Sequence, residues 1–203
     1  MSRPSGALGP FDAAIIDLDG TMIDTVGDFE GALAPALSDL GWRPVSREFI
    51  LRTIGKDSEN LIRSTLLAAG AAASLFEQAW ARYQHHYLAI NGQFASVYPG
   101  VAEGLHALRA AGLRLACLTN KPTAFPRPLL ALKGLDGCFE HLFGGDSFPR
   151  KKPDPLPILK TCEALGTVPA RTLVVGDSSN DAVVDRLDQI AALWLRGALL
   201  KPA

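Results

Sequence analysis

The sequence predicts a layered α/β fold with a helical domain inserted after the first strand. Short, continuous apolar runs, which are typical of strands buried on both faces of a parallel sheet, alternate with segments of helical spacing. A long stretch between residues 25 and 95 interrupts that alternation with helical pattern alone. Strands that alternate with helices imply parallel strand order and right-handed crossovers.

Four apolar runs and a weaker fifth predict the strands of this sheet. The runs are Ala13–Ile16, Leu113–Leu118, Thr172–Val175 and Ile190–Leu195, with His141–Phe143 as the weaker one. The intervening helices are predicted at Val101–Ala111, Pro122–Lys133, Pro155–Leu165 and Asp181–Asp188. Several of these begin at Pro or Asp and end at Gly112, Gly134 or Gly166, which matches the chemistry of helix starts and stops.

The interrupting stretch predicts a separate helical domain. From about residue 25 to residue 96 no strand pattern is convincing, and apolar side chains recur three and four residues apart. Gly41–Pro44 and Gly55–Ser58 interrupt the helices, and Val97–Gly100 marks the return to the sheet. The sequence therefore predicts a discontinuous core, residues 1–24 and 96–203, and a helical domain at residues 25–95.

Composition narrows the class of protein. Twenty basic and 21 acidic residues give a net charge of −1, which argues against broad binding to nucleic acid or a membrane surface. Three cysteines are too few and too far apart for a disulfide framework or a zinc site. No signal-peptide pattern is visible, and no apolar run approaches the roughly 20 residues that span a bilayer. We therefore expect a cytoplasmic protein.

Polar residues that can carry chemistry follow the predicted strands. Asp17 and Asp19 come directly after the first strand, at the carboxyl end where parallel sheets place their ligand crevice. Both side chains leave the strand on the same side, and two carboxylates so close repel unless a cation or shared proton intervenes. A turn-forming or capping Asp cluster is the structural alternative.

Two further strand ends carry groups suited to an anion. Thr119 and Asn120 offer a hydroxyl and an amide to a phosphate oxygen, although the same pair is ordinary loop chemistry. Lys152, held just before a proline at a helix start, is a compact charge suited to a phosphoryl group, or else part of a solvated basic run.

Asp177 and Asp181 follow the Thr172–Val175 strand and can complete an oxygen-rich site for Mg²⁺, although Asp181 also suits a helix N-cap.

Taken together, these ordered motifs resemble the haloacid dehalogenase superfamily of phosphohydrolases. The resemblance lies in Asp17–Thr25 (DLDGTMIDT), Thr119–Asn120, Lys152–Pro153 and Gly176–Asp181. It is closer still to the bacterial phosphoglycolate phosphatases, through the segments Thr53–Asn60, Tyr98–Val101, Leu118–Pro122, Gly144–Ser147 and Lys152–Pro155. The resemblance implies a three-layer, Rossmann-like core with a helical cap over residues 25–95.

The resemblance also implies a role for each matching residue. Asp17 would be the nucleophile that forms an aspartyl-phosphate, and Asp19 the acid and then the base. Thr119, the Asn120 amide and Lys152 would bind the non-bridging phosphate oxygens. The metal ligands would be the Asp17 carboxylate, the Asp19 backbone carbonyl and Asp177, with Asp181 supporting the site, and the ion would be Mg²⁺. In the cap, Lys56 is our candidate for substrate selectivity through a substrate carboxylate, and an exposed turn lysine is the alternative.

The resulting hypothesis is a Mg²⁺-dependent phosphatase that acts on 2-phosphoglycolate, a small phosphorylated metabolite, with no nucleic-acid or membrane partner. Alternatives are a phosphatase or phosphomutase acting on a sugar phosphate or nucleotide. A weakly active or purely binding protein is a further alternative, because Ala182–Gln189 is bulkier and more charged than the corresponding family helix. A haloacid dehalogenase proper is disfavoured, because the paired acids have no use in that reaction. Whether the protein is a monomer or a homodimer is left open.

Overall fold

The computed structural model describes residues 11–54 and 57–178 and contains an α/β unit and a helical unit. The described parts of Met1–Met22 and Val97–Ala203 form the α/β unit, and those of Ile23–Ser96 form the helical unit. The predicted helix Asp181–Asp188 and strand Ile190–Leu195 lie outside the described residues. The assignment of the helical unit as a cap stays a prediction.

The α/β unit is built on a parallel sheet, as predicted. Its strands are β1 (Ala13–Ile16), β4 (Arg114–Leu118), β5 (His141–Phe143) and β6 (Thr172–Val175). The order across the described sheet is β5-β4-β1-β6, and every recorded pairing in it is parallel. Ile16 of β1 pairs with Cys117 of β4 and with Val175 of β6, so these three strands end together at one edge.

Helices cover both faces of the sheet and produce the three-layer architecture. The helices of this unit are α5 (Val101–Ala110), α6 (Pro126–Leu132) and α7 (Leu156–Ala164). One face packs against α7 through a buried cluster of Ala13, Ile15, Ala116, Leu118, Ile158, Cys162 and Leu165. The alternate side chains, such as Ile16 and Leu115, are buried as well, which explains why the strands are apolar without a period of two.

The helical unit forms its own apolar core. Its helices are α1 (Val26–Asp39), α2 (Arg47–Thr53), α3 (Ser58–Ala68) and α4 (Phe76–Ile90). Tyr83 and Tyr87 on α4 are fully buried, and their rings lie 6.4 and 5.6 Å from the Phe29 ring of α1. The Asp28 carboxylate accepts hydrogen bonds from the backbone of Gly92 and Phe94, which fastens the chain after α4 to α1.

Two details differ from the sequence prediction. The strands β2 (Ile23–Asp24) and β3 (Ser96–Val97) form a separate two-stranded sheet that was not predicted, because two residues are too few to show a period. The predicted helix Pro122–Lys133 begins only at Pro126. Its first residues instead form a turn closed by a Phe125 N–H bond to Pro122 O, while Thr123 N donates to Asp146.

Three short 3₁₀ helices complete the described elements, at Ala73–Leu75, Asp136–Cys138 and Pro169–Arg171. Among residues 11–54 and 57–178, no helix is both long enough and apolar enough to cross a membrane. The longest of them, α4, has 15 residues and carries charged side chains such as Glu77 and Arg82.

Candidate active site

The polar residues singled out in the sequence follow strands that end at one edge of the sheet. Asp17 follows β1, Thr119 follows β4 and Asp177 lies just beyond β6. Because β1 pairs in parallel register with both β4 and β6, these chain segments leave the sheet side by side. The backbone N–H of Asp17 donates to Val175 O at 2.9 Å, which extends the β1–β6 pairing to the first residue of the site.

Asp17 is paired with a buried lysine. Lys152 Nζ lies 2.9 Å from Asp17 Oδ1, and the two side chains are 4% and 12% exposed. The same ammonium donates to Leu118 O at 2.8 Å, so a strand-end carbonyl helps to fix its position. An ammonium withdrawn from water in this way exerts a stronger field on its neighbours than an exposed one. The pair is therefore a preorganised charge arrangement, and Lys152 is not part of a solvated basic run.

Asn120 connects the loop after β4 to the loop that carries Lys152. Its side-chain Nδ2 donates to Lys152 O at 2.8 Å, and its Oδ1 accepts from Lys152 N at 3.0 Å. Two bonds to one peptide segment fix both the position and the orientation of the lysine backbone. The side chain thus positions Lys152, and the phosphate-binding role of the Asn120 amide stays a prediction.

Asp19 has a lysine partner of its own. Lys121 Nζ lies 2.8 Å from Asp19 Oδ1, and the lysine side chain is 1% exposed while that of Asp19 is 21% exposed. The repulsion expected between Asp17 and Asp19 is thus offset by two separate ammonium groups. Each carboxylate is held by a different lysine, and this gives the two acids different surroundings.

Thr119 shapes the turn that presents this second lysine. Its buried hydroxyl oxygen accepts a hydrogen bond from Lys121 N at 3.1 Å, and its own N–H donates to Phe143 O at 3.0 Å. A hydroxyl that accepts from the backbone two residues on forms a tight local turn. The structure therefore places Thr119 at the site edge, while its contact with a phosphate oxygen stays a prediction.

The loop after β5 supports the loop after β4. Gly145 N donates to Lys121 O at 2.8 Å, and Asp146 Oδ1 accepts from Thr123 N at 2.8 Å and from the Thr123 hydroxyl. Partial burial raises the pKa of Asp146, but hydrogen bonds from Thr123 and from the Asp146 backbone, together with the Lys151 charge, bring the pKa below its usual value. These contacts join two neighbouring strand ends directly beside Asn120.

Gly145→Ala is expected to destabilise this junction. A Cβ at Gly145 would lie 2.2 Å from Asn120 O, a backbone atom that cannot rotate away. Overpacking of this kind costs about 1–3 kcal/mol, so the urea midpoint should fall. Gly104→Ala on α5 is the matched control, because its Cβ would meet nothing within 4 Å. A midpoint for Gly145→Ala equal to that of the control would contradict the expectation.

Asp177 packs against the turn that follows β1. Thr21 Oγ1 donates to Asp177 Oδ1 at 2.9 Å, and Gly20 has a φ of +79°. The positive φ favours glycine at this position, and the absence of a Cβ lets Asp177 Oδ2 approach to within 2.4 Å of where that atom would lie. This close approach brings Asp177 to the chain segment that carries Asp17 and Asp19.

The donor set at this edge suits a hard divalent cation. Asp17 and Asp177 offer carboxylate oxygens from adjacent strand ends, and the turn after Asp17 offers backbone carbonyls. Mg²⁺ accepts such a set, because it binds oxygen and keeps several waters besides one or two carboxylates. Within the described ranges, no three His, Cys, Asp or Glu side chains are grouped closely enough to hold a metal ion by themselves.

Two predicted site residues, Lys56 and Asp181, lie outside the described residues. One residue of the site, Lys121, was missed at the sequence level. The signal was available, since it is a lysine two positions after Thr119 at the end of a buried strand. Spacing alone did not identify it, because an exposed loop lysine has the same local sequence.

Comparisons with known proteins show which family this chain belongs to. The family model of haloacid dehalogenase-like hydrolases matches residues 11–183. A protein of Thiobacillus denitrificans named phosphoglycolate phosphatase is 41% identical over 180 residues, covering 87% of this chain and 79% of the relative. One of the same name from Nitrosospira multiformis is 43% identical, with the same coverage.

A solved structure gives the same picture. The crystal structure of a predicted phosphoglycolate phosphatase from Haemophilus somnus 129pt superposes with a TM-score of 0.81 at 31% identity, covering 86% of this chain and 80% of the other. The parallel sheet, the acids at its carboxyl edge and these relatives lead to one assignment. The chain belongs to the haloacid dehalogenase-like hydrolase family, and it is a phosphatase.

Proposed function

We propose that this protein is a Mg²⁺-dependent phosphatase that hydrolyses 2-phosphoglycolate to glycolate and phosphate. The observation that carries the chemistry is the Asp17–Lys152 pair, 2.9 Å apart, at the edge that also holds Asp19 and Asp177. The substrate is supported by the two relatives above 40% identity, both named phosphoglycolate phosphatase.

The proposed reaction has two steps, both at Asp17. In the first, an Asp17 carboxylate oxygen attacks phosphorus, the bond to the glycolate oxygen breaks, and Asp19 gives that oxygen a proton. In the second, Asp19 takes a proton from a water molecule, whose oxygen attacks the aspartyl-phosphate. Phosphate leaves with that oxygen, and the Asp17 carboxylate is restored.

Lys152 supplies the positive charge for the non-bridging oxygens. Its ammonium is 4% exposed and is anchored by Leu118 O, so it does not need to reorganise as negative charge develops. Thr119 and the Asn120 amide are proposed to add hydrogen bonds to the same oxygens. The bridge from Asn120 to the Lys152 backbone supports this proposal by keeping the two strand ends together.

The proposed cation site uses the Asp17 carboxylate, the Asp19 backbone carbonyl and Asp177, with Asp181 in support. When bound, Mg²⁺ would offset the repulsion between an anionic nucleophile and an anionic phosphate. The hydrogen bond from Thr21 Oγ1 to Asp177 Oδ1 supports this placement, because it holds a carboxylate beside the Asp17–Asp19 segment.

The substrate selectivity is proposed to come from the helical unit. Lys56 is the candidate, through a contact with the substrate carboxylate. Its neighbour Asp57 caps α3 by accepting a hydrogen bond from Asn60 N at 2.6 Å, which gives the turn a defined end. The proposed partner is thus a small phosphorylated metabolite, without nucleic acid or membrane, and the proposed compartment is the cytoplasm.

A phosphate-release assay across small phosphomonoesters tests this function. We expect 2-phosphoglycolate to give the highest kcat/KM, and EDTA to abolish release until Mg²⁺ is restored in excess. Calcium is added in place of magnesium as a control. If calcium restored phosphate release as well as magnesium does, the cation would have only a structural role. Faster release from sugar phosphates or nucleotides would overturn the substrate. An isomerised phosphosugar instead of free phosphate would indicate a mutase, and binding of a phosphate analogue without turnover would indicate a binding protein.

A further inference from the structure

Lys121 is a buried cation that the reaction above does not use. Its side chain is 1% exposed, and its ammonium lies 2.8 Å from Oδ1 of Asp19, a residue 102 positions earlier in the chain. Lysine is almost never fully buried unless it is paired, so the position of this ammonium is tied to that carboxylate. The contact lies wholly within the α/β unit.

The backbone of Lys121 is fixed on both sides of its side chain. Its N–H donates to Thr119 Oγ1 at 3.1 Å, and its carbonyl accepts from Gly145 N at 2.8 Å. Gly144 and Gly145 allow this contact, because a Cβ at Gly144 would lie 2.7 Å from Lys121 O. Both backbone groups are therefore anchored, and the ammonium reaches Asp19 from a rigid support.

The Asp19 side chain needs a fixed partner such as Lys121, because another carboxylate and another buried ammonium lie close to it in the chain or the site. Asp19 is two residues from Asp17, whose ammonium partner, Lys152, is a second buried positive charge. In the proposed reaction Lys152 faces the non-bridging oxygens, so an Asp19 side chain turned toward Lys152 would be directed away from the leaving oxygen. The ion pair with Lys121 opposes that rotation, since an ammonium withdrawn from water holds a carboxylate strongly.

We propose that Lys121 is a positioning residue, which orients the Asp19 side chain so that its carboxyl group, when protonated, faces the leaving oxygen. This inference rests on the proposed function, in which Asp19 is the acid. Lys121 then acts through Asp19 and does not contact the phosphoryl group. Its loss should slow only those substrates whose leaving group requires a proton.

Substrates with different leaving groups distinguish a role in proton transfer to the leaving oxygen from a role in any other step. An alkyl phosphate such as 2-phosphoglycolate expels a strongly basic alkoxide and depends on the acid. In contrast, p-nitrophenyl phosphate expels a stable phenolate that needs no proton. The second step, hydrolysis of the aspartyl-phosphate, is common to both substrates, and kcat/KM reports only events up to leaving-group departure. The ratio of the two kcat/KM values therefore isolates the acid step.

The experiment measures this ratio in Lys121→Met. General acid catalysis contributes about 10²–10⁴-fold, and misplacing the acid should lower the ratio by about 10- to 100-fold. Lys160→Met is the matched control, because that exposed lysine pairs only locally with Glu163 and should leave the ratio unchanged. Both substrates are assayed on the same enzyme, so the ratio does not depend on how much of it is folded. Lys121→Gln repeats the test if Lys121→Met is too unstable.

A double variant shows whether the effect passes through Asp19. In the Asp19→Asn background, Lys121→Met should change the ratio by less than about 3-fold, because coupled residues are not additive. If Lys121→Met lowers kcat/KM equally for both substrates, or lowers it for neither, the ratio is unchanged and the proposal is overturned. If the unmodified enzyme prefers another alkyl phosphate, the substrate proposal fails, and that ester takes the place of 2-phosphoglycolate in the same test.

Discussion

Asp17→Asn is expected to lower kcat for phosphate release by about four orders of magnitude or more. The carboxamide carries no negative charge and is a poor nucleophile toward phosphorus, so the aspartyl-phosphate cannot form. Binding of a phosphate analogue should persist, because Lys152 and the loop after β4 remain in place. Quenched-flow trapping of a phosphorylated enzyme should succeed for the native protein and fail for the variant.

The Asp17→Asn chain should still fold, but with lower stability, because the buried Lys152 ammonium loses this ion pair and keeps its hydrogen bond to Leu118 O. Asn has nearly the same shape as Asp, and the Asp17 N–H bond to Val175 O belongs to the backbone. Asp136→Asn is the matched control, since this carboxylate is exposed and lies in the 3₁₀ helix Asp136–Cys138, away from the site edge. Activity above about a hundredth of the native rate in a pure Asp17→Asn sample would remove Asp17 as the nucleophile.

Lys152→Met is expected to have the second largest effect, on both catalysis and stability. Loss of a preorganised charge at the developing negative oxygens should lower kcat/KM by about 10²–10³-fold. The native ammonium is 4% exposed and pairs with Asp17, which is 12% exposed, so the variant leaves a buried carboxylate without this partner. Breaking a buried pair from one side costs about 3–5 kcal/mol, which urea denaturation can resolve.

The double variant Asp17→Asn with Lys152→Met gives the decisive stability comparison. Removing both charges leaves no unpaired carboxylate, so we expect part of the stability lost in Lys152→Met to return. Lys160→Met is the control for loss of an exposed lysine charge. If the double variant is as unstable as Lys152→Met, the buried charge is not the cause, and lost packing of the lysine stem explains the result.

Much of the sheet could be predicted from local sequence. Ala13–Ile16 is confirmed at both ends as β1, and Thr172–Val175 as β6, because a strand buried on two faces needs an unbroken apolar run. The helix predicted at Pro122 failed at its start, because a hydrogen bond from Thr123 to Asp146 ties that turn to another loop. No local pattern carries information about such a partner.

The sequence by itself determined the α/β class and the strand ends where Asp17, Thr119 and Asp177 lie, since these follow from local periodicity and parallel order. Only the tertiary structure decided how the charges pair. Lys152 holds Asp17 and Lys121 holds Asp19, although each lysine lies more than a hundred positions from its partner. The physical reason is burial. A specific ion pair between an ammonium and a carboxylate forms only where folding has removed water from both groups. Which groups become buried together depends on packing between distant segments of the chain.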